Sequence, residues 1–162
     1  MIRNLIILDS SGNDLLSANF GECHSLGTKH DLIGSFVNAI YSFSQTIIGQ
    51  EIRNIRFEHL DFLIMSKEDI IFMISADDGI PQENRRKLNR ISTLFLERYK
   101  EQVAHLDDTR ISPDFTEFVD YLHELDITQR NCGGRPTCAD CPDRRVLPLE
   151  EMSKSIQKEM TS

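Results

Sequence analysis

The segment Ile2–Leu8, with the sequence IRNLIIL, decides how the rest of the chain is interpreted. Apolar side chains occupy both of its faces, whereas a strand with one face in water would alternate apolar and polar positions. We therefore predict a strand in the middle of a sheet. The polar run at residues 9–12 (DSSG) ends it in a turn at Gly12, and residues 14–20 (DLLSANF) return as the second strand of a hairpin.

A helical period follows the hairpin. Asp31 is placed to cap the start of this helix and Gly49 to end it. Apolar residues recur between them at steps of three and four, so we expect one apolar face that lies on the sheet. These positions are Leu32, Ile33, Phe36, Val37, Ile40, Phe43, Ile47 and Ile48.

Three strands and two helices complete the pattern. Residues 53–58 alternate as a half-exposed edge strand does, and residues 62–65 and 70–74 are apolar throughout, which is typical of inner strands. Their short polar connections favour antiparallel pairing. A long helix is predicted from Gln82 through Leu106, and a last helix from Ser112-Pro113-Asp114. The order β-β-α-β-β-β-α-α predicts an α+β domain, with a five-stranded antiparallel sheet and helices on both faces.

Charge and hydropathy limit the partners of this chain. The net charge is -8, so we expect no nucleic-acid partner, because phosphate binding needs a basic surface. The longest apolar runs are only four or five residues, which predicts no transmembrane segment. With no secretory signal in the sequence, we expect a cytoplasmic protein with reduced thiols.

Three of the four cysteines, Cys132, Cys138 and Cys141, lie close together. The C-x-x-C pair has the spacing at which a turn presents two thiolates to one tetrahedral metal, and nearby arginines offset thiolate charge. We predict zinc, with an iron–sulfur cluster, a redox pair or three unconnected thiols as the alternatives. The motif itself lacks a fourth ligand. The candidates are Cys23, which we include in the predicted site, His24 and His123.

Arg85, Arg86, Lys87 and Arg90 cluster in the first half of the predicted long helix. Such a cluster is usually a solvated helix face. We nevertheless take these four residues as the candidate partner-binding site, because the family that the chain resembles, given below, contacts its partners through exposed helix faces.

No catalytic constellation is present in the sequence. Asp9, Asp14, Asp77 and Asp78 follow or precede strands, and turn chemistry explains aspartates at such positions. The chain contains no complete phosphate loop, no G-x-S-x-G and no H-E-x-x-H. We therefore predict that it is not an enzyme and has no catalytic residues.

The strand–turn–strand IRNLIILDSSGNDLLSANF, the helix after it, the three-strand meander and the closing helices resemble a longin domain over about residues 1–127. That family includes small subunits of clathrin adaptors, N-terminal domains of some SNAREs and subunits of transport complexes. The resemblance implies that the first strand lies beside strands two and five. It also implies a non-catalytic platform in vesicle trafficking, which binds a small GTPase or a second longin or roadblock-type subunit. Peripheral contact with a membrane stays open.

These expectations divide the chain into three parts. They are a longin-like domain at residues 1–127, a Cys-rich knuckle at 128–148 and a short tail at 149–162. The tail carries apolar residues at helical steps and is too short to be a stable helix alone, so it either packs as a cap or folds on binding. The alternative function is a metal-sensing or redox-sensing module that uses the cysteine cluster of the knuckle.

Overall fold

The computed structural model describes residues 2–20, 30–56, 60–77, 81–106 and 113–129. Within these ranges the chain forms five strands and four α-helices, and a π-helical turn extends the first helix. The strands are β1 (Ile2–Leu8), β2 (Asp14–Asn19), β3 (Asn54–Arg56), β4 (Leu60–Lys67) and β5 (Ile70–Asp77). The helices are α1 (His30–Phe43), α2 (Pro81–Arg98), α3 (Lys100–Ala104) and α4 (Glu117–Glu124), with the π turn at Ser44–Ile48.

The strands form one antiparallel sheet in the order β2-β1-β5-β4-β3. All seven residues of β1 are buried, and β1 pairs with β2 on one side and β5 on the other. The prediction of a central strand covered on both faces is confirmed. β3 lies at an edge of the sheet, as the alternation in residues 53–58 predicts.

The larger core lies on one face of the sheet, beneath α2 and α4; we call this side the α2/α4 face. Phe95 is at its centre. The ring centroid of Phe95 lies 5.7 Å from that of Phe72, 5.1 Å from Tyr99, 5.1 Å from Phe115 and 5.2 Å from Phe118. None of these five side chains is more than 7% exposed. The aromatic cluster therefore joins both helices to the middle of the sheet.

A smaller core lies on the opposite side, beneath α1; we call it the α1 face. Strands β1, β4 and β5 contribute most of its side chains, and α1 contributes Val37. α1 approaches β1 closely at Gly34, where a Cβ atom would lie 3.4 Å from Cδ2 of Leu8. The turn after β1 also lies against α1, because a Cβ at Gly12 would overlap the side-chain amide of Asn38. With helices on both faces of an antiparallel sheet, the predicted α+β class is confirmed.

The last two helical regions differ from the prediction. α2 ends at Arg98, because Tyr99 takes φ -114° and ψ 25°, and the five-residue α3 follows. α4 begins at Glu117 and not near residue 113. The carboxylate of Asp114 instead accepts the backbone N–H of Thr116 at 2.9 Å, which forms a turn before the helix and holds the pKa of Asp114 below its ordinary value.

The chain reverses direction at the end of α4. Asp126 adopts φ 54°, its N–H donates to the carbonyl of His123 at 3.1 Å, and the N–H of Ile127 donates to the carbonyl of Leu122 at 3.0 Å. This is a Schellman motif, with the apolar side chain of Ile127 packed back on the helix. Thr128, which is 4% exposed, therefore returns alongside the last turn of α4. Residues 128 and 129 of the predicted knuckle are described, and the rest of the knuckle and the whole predicted tail lie outside the described residues.

Candidate functional site

The four basic residues predicted to bind a partner lie on α2. Arg86, Lys87 and Arg90 are exposed. Arg85 is half-buried, and its guanidinium donates to the backbone carbonyl of Arg53 at 3.1 Å and to a carbonyl of β4 at 3.5 Å. Arg85 thus stabilises the region where β3 joins the sheet, so only three of the four are placed to meet a partner without disturbing the fold.

Two of the aspartates considered as candidate catalytic or metal-binding groups make local hydrogen bonds. Asp9 accepts the backbone N–H groups of Ser11 and Asn13, each at 2.9 Å, and the side-chain amide of Asn13 at 2.8 Å. Asp14 accepts the hydroxyl of Ser17 at 2.6 Å. Both carboxylates therefore shape the β1–β2 hairpin, as turn chemistry predicts.

A further surface, which the sequence analysis missed, lies on the outer side of α1 and the π turn. Phe36 is 44% exposed, Phe43 58%, Ile47 67% and Ile48 60%. We call these four side chains the α1 outer patch. The helical period predicts that they face the sheet, and for all four that prediction is wrong.

The cause is the row of residues through which α1 contacts the sheet. This inner row contains Gly34, Val37 and Tyr41; Val37 is buried in the core beneath the helix, and Tyr41 packs partly against it. At Gly34 the helix lies close to Leu8, so this position has little room for a larger side chain, and the phenylalanines of the helix lie outside the row and are exposed. The sequence does carry a signal for this arrangement. Residues 32–50 include no Asp, Glu, Lys or Arg, although 27% of the chain is charged, and a solvated helix face normally carries charges.

The π turn extends the exposed surface beyond α1. The N–H of Gly49 donates to the carbonyl of Ser44, five residues back, which widens the turn by one residue. The hydroxyl of Ser44 donates to the carbonyl of Tyr41 at 2.8 Å and accepts the N–H of Ile52 at 3.2 Å, so the turn is fixed from both sides. Both isoleucines of the turn remain in water. π-Helical turns of this kind are frequent at functional sites.

The two candidate surfaces lie on opposite sides of the molecule. The α1 outer patch lies over one face of the sheet, and the exposed basic residues of α2 lie over the other. The sheet itself separates them. A single flat partner surface therefore contacts one of the two and not both.

The predicted zinc ligands Cys23, Cys132, Cys138 and Cys141 lie outside the described residues. Within the described ranges, no group of three or more His, Cys, Asp and Glu side chains is arranged to hold a metal ion. One of the other candidates for the fourth ligand, His123, is described in detail.

His123 lies in the last turn of α4, between Phe20 and Thr128. Its ring meets that of Phe20 edge-on, with centroids 5.5 Å apart and planes at 89°. Its Nδ1 atom lies 3.1 Å from the carbonyl oxygen of Thr128 and 3.0 Å from the hydroxyl oxygen of the same residue. Phe20 precedes Cys23 by three residues, and Thr128 precedes Cys132 by four. His123 therefore lies beside the chain that leads to both cysteine-bearing segments.

None of the helices in the described parts of the chain is long and apolar enough to cross a bilayer. No protein-family model matches the chain, and no curated protein matches its sequence. The order of the elements, the topology of the sheet and the surfaces described above are therefore the basis on which a function is proposed.

Proposed function

We propose that this chain is a non-catalytic protein-interaction platform of the longin type, which binds a small GTPase of a trafficking pathway. The α1 outer patch is the observation that carries the proposal. The order of the elements and the central position of β1 support the longin type, and the longin family supplies the class of partner.

The patch places four large apolar side chains in water on one helix and its π turn. Phe36, Phe43, Ile47 and Ile48 are all between 44% and 67% exposed, and they follow one helix and its π turn. Full burial of one such side chain is worth about 1.5–3 kcal/mol relative to full exposure. Single exposed apolar residues are common on proteins, but contiguous ones mark contact sites. Covering this patch with a partner therefore yields a substantial part of a binding free energy.

The chemistry of the patch constrains the partner's surface. Because residues 32–50 carry no charge, a charged group of the partner placed there would lose water without gaining an ion pair. The contact area of the small GTPase is therefore apolar and uncharged at its centre. The first charged residue after this uncharged segment is Glu51, which is exposed.

The exposed basic residues of α2 form a separate contact in this proposal. Arg86, Lys87 and Arg90 lie on the other side of the sheet and fit an acidic protein surface. Their contribution is electrostatic, so it falls with ionic strength, whereas binding at the α1 outer patch does not.

The experiment is a direct binding assay with a purified small GTPase. Candidates are first recovered on the immobilised full chain from a lysate loaded with GDP or with a GTP analogue, and the GTPase identified is then tested in purified form. The variant is Phe43→Ser/Ile47→Ser. The control is Arg86→Ala/Arg90→Ala, which removes two exposed charges on the opposite side.

The proposal is supported if the wild type binds the GTPase in one nucleotide state and the α1 variant does not. The α2 variant should still bind at high salt. Loss in the α2 variant alone would move the contact to α2. Light scattering of the free chain tests a further outcome. If the wild type is a dimer and the α1 variant is a monomer, the partner at the patch is a second copy of this chain and not a GTPase.

A metal-binding module is the second candidate function, and the placement of His123 is the observation that favours it. Iron and zinc are distinguished by colour: an anaerobically purified brown protein would contain an iron–sulfur cluster, whereas a zinc protein is colourless. The two candidate functions are compatible, because the knuckle follows the domain in sequence.

A further inference from the structure

We propose that Ser44 is a positioning residue of the α1 outer patch: it closes the π turn and so holds Ile47 and Ile48 in the place where a partner meets them. The inference rests on the proposed function, because it takes the patch as the contact site, and it adds the residue on which the geometry of that site depends. Ser44 is only 5% exposed, so it acts through the two isoleucines and not by contact with the partner.

Ser44 forms hydrogen bonds through both its backbone carbonyl and its hydroxyl. The carbonyl oxygen has two lone pairs; it accepts the N–H of Gly49 and, at 3.3 Å, that of Gln50. The hydroxyl donates to the carbonyl of Tyr41 at 2.8 Å and accepts the N–H of Ile52 at 3.2 Å. One residue of the helix is thus bonded to three positions of the chain that leads from the π turn to β3.

Residues 45–48 lie between these bonded positions, in the turn that Ser44 closes. All four are exposed, whereas Ser44 is buried. In an α-helix the carbonyl of Ser44 would accept the N–H of the fourth residue on; here it accepts that of the fifth, Gly49, so the turn contains one residue more. Gly49 ends the turn at φ 69°, a conformation that glycine adopts without strain. The place of Ile47 and Ile48 therefore depends on how the turn closes at Ser44.

A second set of hydrogen bonds crosses the same turn, but it lies in water. The Tyr41 hydroxyl accepts the side-chain amide of Gln45 at 3.1 Å and donates to the carboxylate of Glu51 at 3.4 Å. Exposed groups exchange such bonds for bonds to water at little cost, whereas a donor away from water that loses its acceptor destabilises the conformation that holds it there. The hydroxyl of Ser44 is therefore the stronger constraint on the turn.

Loss of this constraint should weaken binding through entropy. Without the hydroxyl, the N–H of Ile52 has lost its acceptor, and the turn can leave the conformation seen here. A partner must then order residues 45–48 when it binds. Fixing the backbone of even one residue lowers an affinity by roughly tenfold. The patch of the wild type is already ordered, so its partner does not bear this cost.

The test compares Ser44→Ala with two controls in the full-length chain. Ser44→Ala removes the hydroxyl and keeps the backbone carbonyl. Ser44→Thr keeps a hydroxyl that can bond to a carbonyl one turn back, so it should behave as the wild type does. Ser92→Ala is the matched control on α2, since Ser92 is 0% exposed and its hydroxyl also donates to a carbonyl three residues back, that of Asn89, at 2.8 Å.

The first readout is amide hydrogen exchange by NMR, which follows the turn without any partner. Ser44→Ala should speed the exchange of the Gly49 and Ile52 amides at least about threefold relative to the amides of β1, because only the turn is loosened. Ser44→Thr and Ser92→Ala should leave the exchange of these two amides unchanged.

The second readout is the affinity for the purified GTPase of the binding assay above. Ser44→Ala should lower this affinity about tenfold, and Ser44→Thr and Ser92→Ala should leave it unchanged. If Ser92→Ala lowers the affinity as much as Ser44→Ala does, general destabilisation and not the position of the turn is the cause, and the proposal is wrong.

Two further results would overturn the proposal. Unchanged exchange of the Gly49 and Ile52 amides in Ser44→Ala would mean that the hydroxyl does not hold the turn. Full affinity of Ser44→Ala for a GTPase that Phe43→Ser/Ile47→Ser no longer binds would mean that the patch does not need the turn. If no GTPase binds the chain, the proposed function fails and this inference with it, and faster exchange in Ser44→Ala would then show that the error lies in the function and not in the turn.

Discussion

The two faces of the sheet are covered in different ways. On the α2/α4 face, Phe95 and the four rings around it are at most 7% exposed and join two helices to the sheet. On the α1 face, the part of the chain that the structure describes contacts the sheet through Gly34 and Val37 of α1, and the phenylalanines Phe36 and Phe43 of the same helix are exposed. One face thus buries its aromatic side chains, while the other leaves large apolar side chains exposed. Stability and binding are therefore expected to respond to mutations on different faces.

The largest expected effect is on the α2/α4 face. Phe95→Ala removes the ring at the centre of the aromatic cluster and should lower the free energy of unfolding by about 3–5 kcal/mol, because the transfer free energy is lost and a cavity remains. Phe43→Ala on the α1 face should change it by less than about 0.5 kcal/mol. Chemical denaturation measures both. Equal losses would mean that the two faces do not differ as described, and Phe95→Leu provides a milder variant if the alanine form is unfolded.

The second prediction concerns the contact between the β1–β2 turn and α1. Gly12 has φ 84°, and a Cβ there would overlap the amide of Asn38. Gly12→Ala should therefore lower the free energy of unfolding by about 1–3 kcal/mol, from backbone strain and from displacement of α1. Gly49 is the matched control, since its φ is 69° but nothing lies within 4 Å of an added Cβ. Gly49→Ala should show the smaller loss, about 1 kcal/mol, from strain alone.

The double variant Gly12→Ala/Asn38→Ala separates the two contributions. Removing the Asn38 side chain should recover the part of the loss that comes from overlap and leave the part that comes from φ. If the double variant is as unstable as Gly12→Ala alone, the turn does not position α1.

The third prediction concerns the hydroxyl group of Tyr99 in the aromatic cluster. The hydroxyl of Tyr99 is buried and has no hydrogen-bond partner among the described residues. Tyr99→Phe should therefore raise the free energy of unfolding by about 1 kcal/mol, because an unsatisfied polar group is removed from the core. Tyr41→Phe on the α1 face is the control: the Tyr41 hydroxyl accepts from Gln45 at 3.1 Å, so its loss should bring no gain. A thermal melt that places Tyr99→Phe below the wild type would contradict the prediction.

The sequence predicts the sheet well, because a strand buried on both faces carries apolar residues at consecutive positions. In β1, apolar residues on both faces predict a central strand, and the structure pairs β1 with strands on both sides. In β3, alternation predicts an edge. Short connections decide antiparallel pairing between β4 and β5, whatever the packing of the helices.

The orientation of α1 could not be predicted in the same way. Its apolar residues fall into two rows, and each row has a helical period. The row that meets the sheet includes Gly34, which lies close to Leu8 of a strand distant in sequence. The same limit applies to Arg85, whose bond to the carbonyl of Arg53 is a long-range contact that a charge cluster does not reveal. The contact between His123 and Thr128 likewise depends on the return of the chain after α4.

The smallest expected effect on stability is also the most informative about function. Phe43→Ser/Ile47→Ser should change the free energy of unfolding by less than about 0.5 kcal/mol, because both side chains are already more than half in water. Val37→Ser is the matched control on the same helix; Val37 is 1% exposed, and burying a hydroxyl in its place should lower the free energy by more than about 1 kcal/mol. Denaturation curves of the three proteins are compared at one concentration. If the double variant is destabilised as much as Val37→Ser, the α1 outer patch belongs to the core, and the proposed interaction surface is lost. If it is unchanged while binding fails, the four residues are kept exposed for a partner, since the fold itself gains nothing from them.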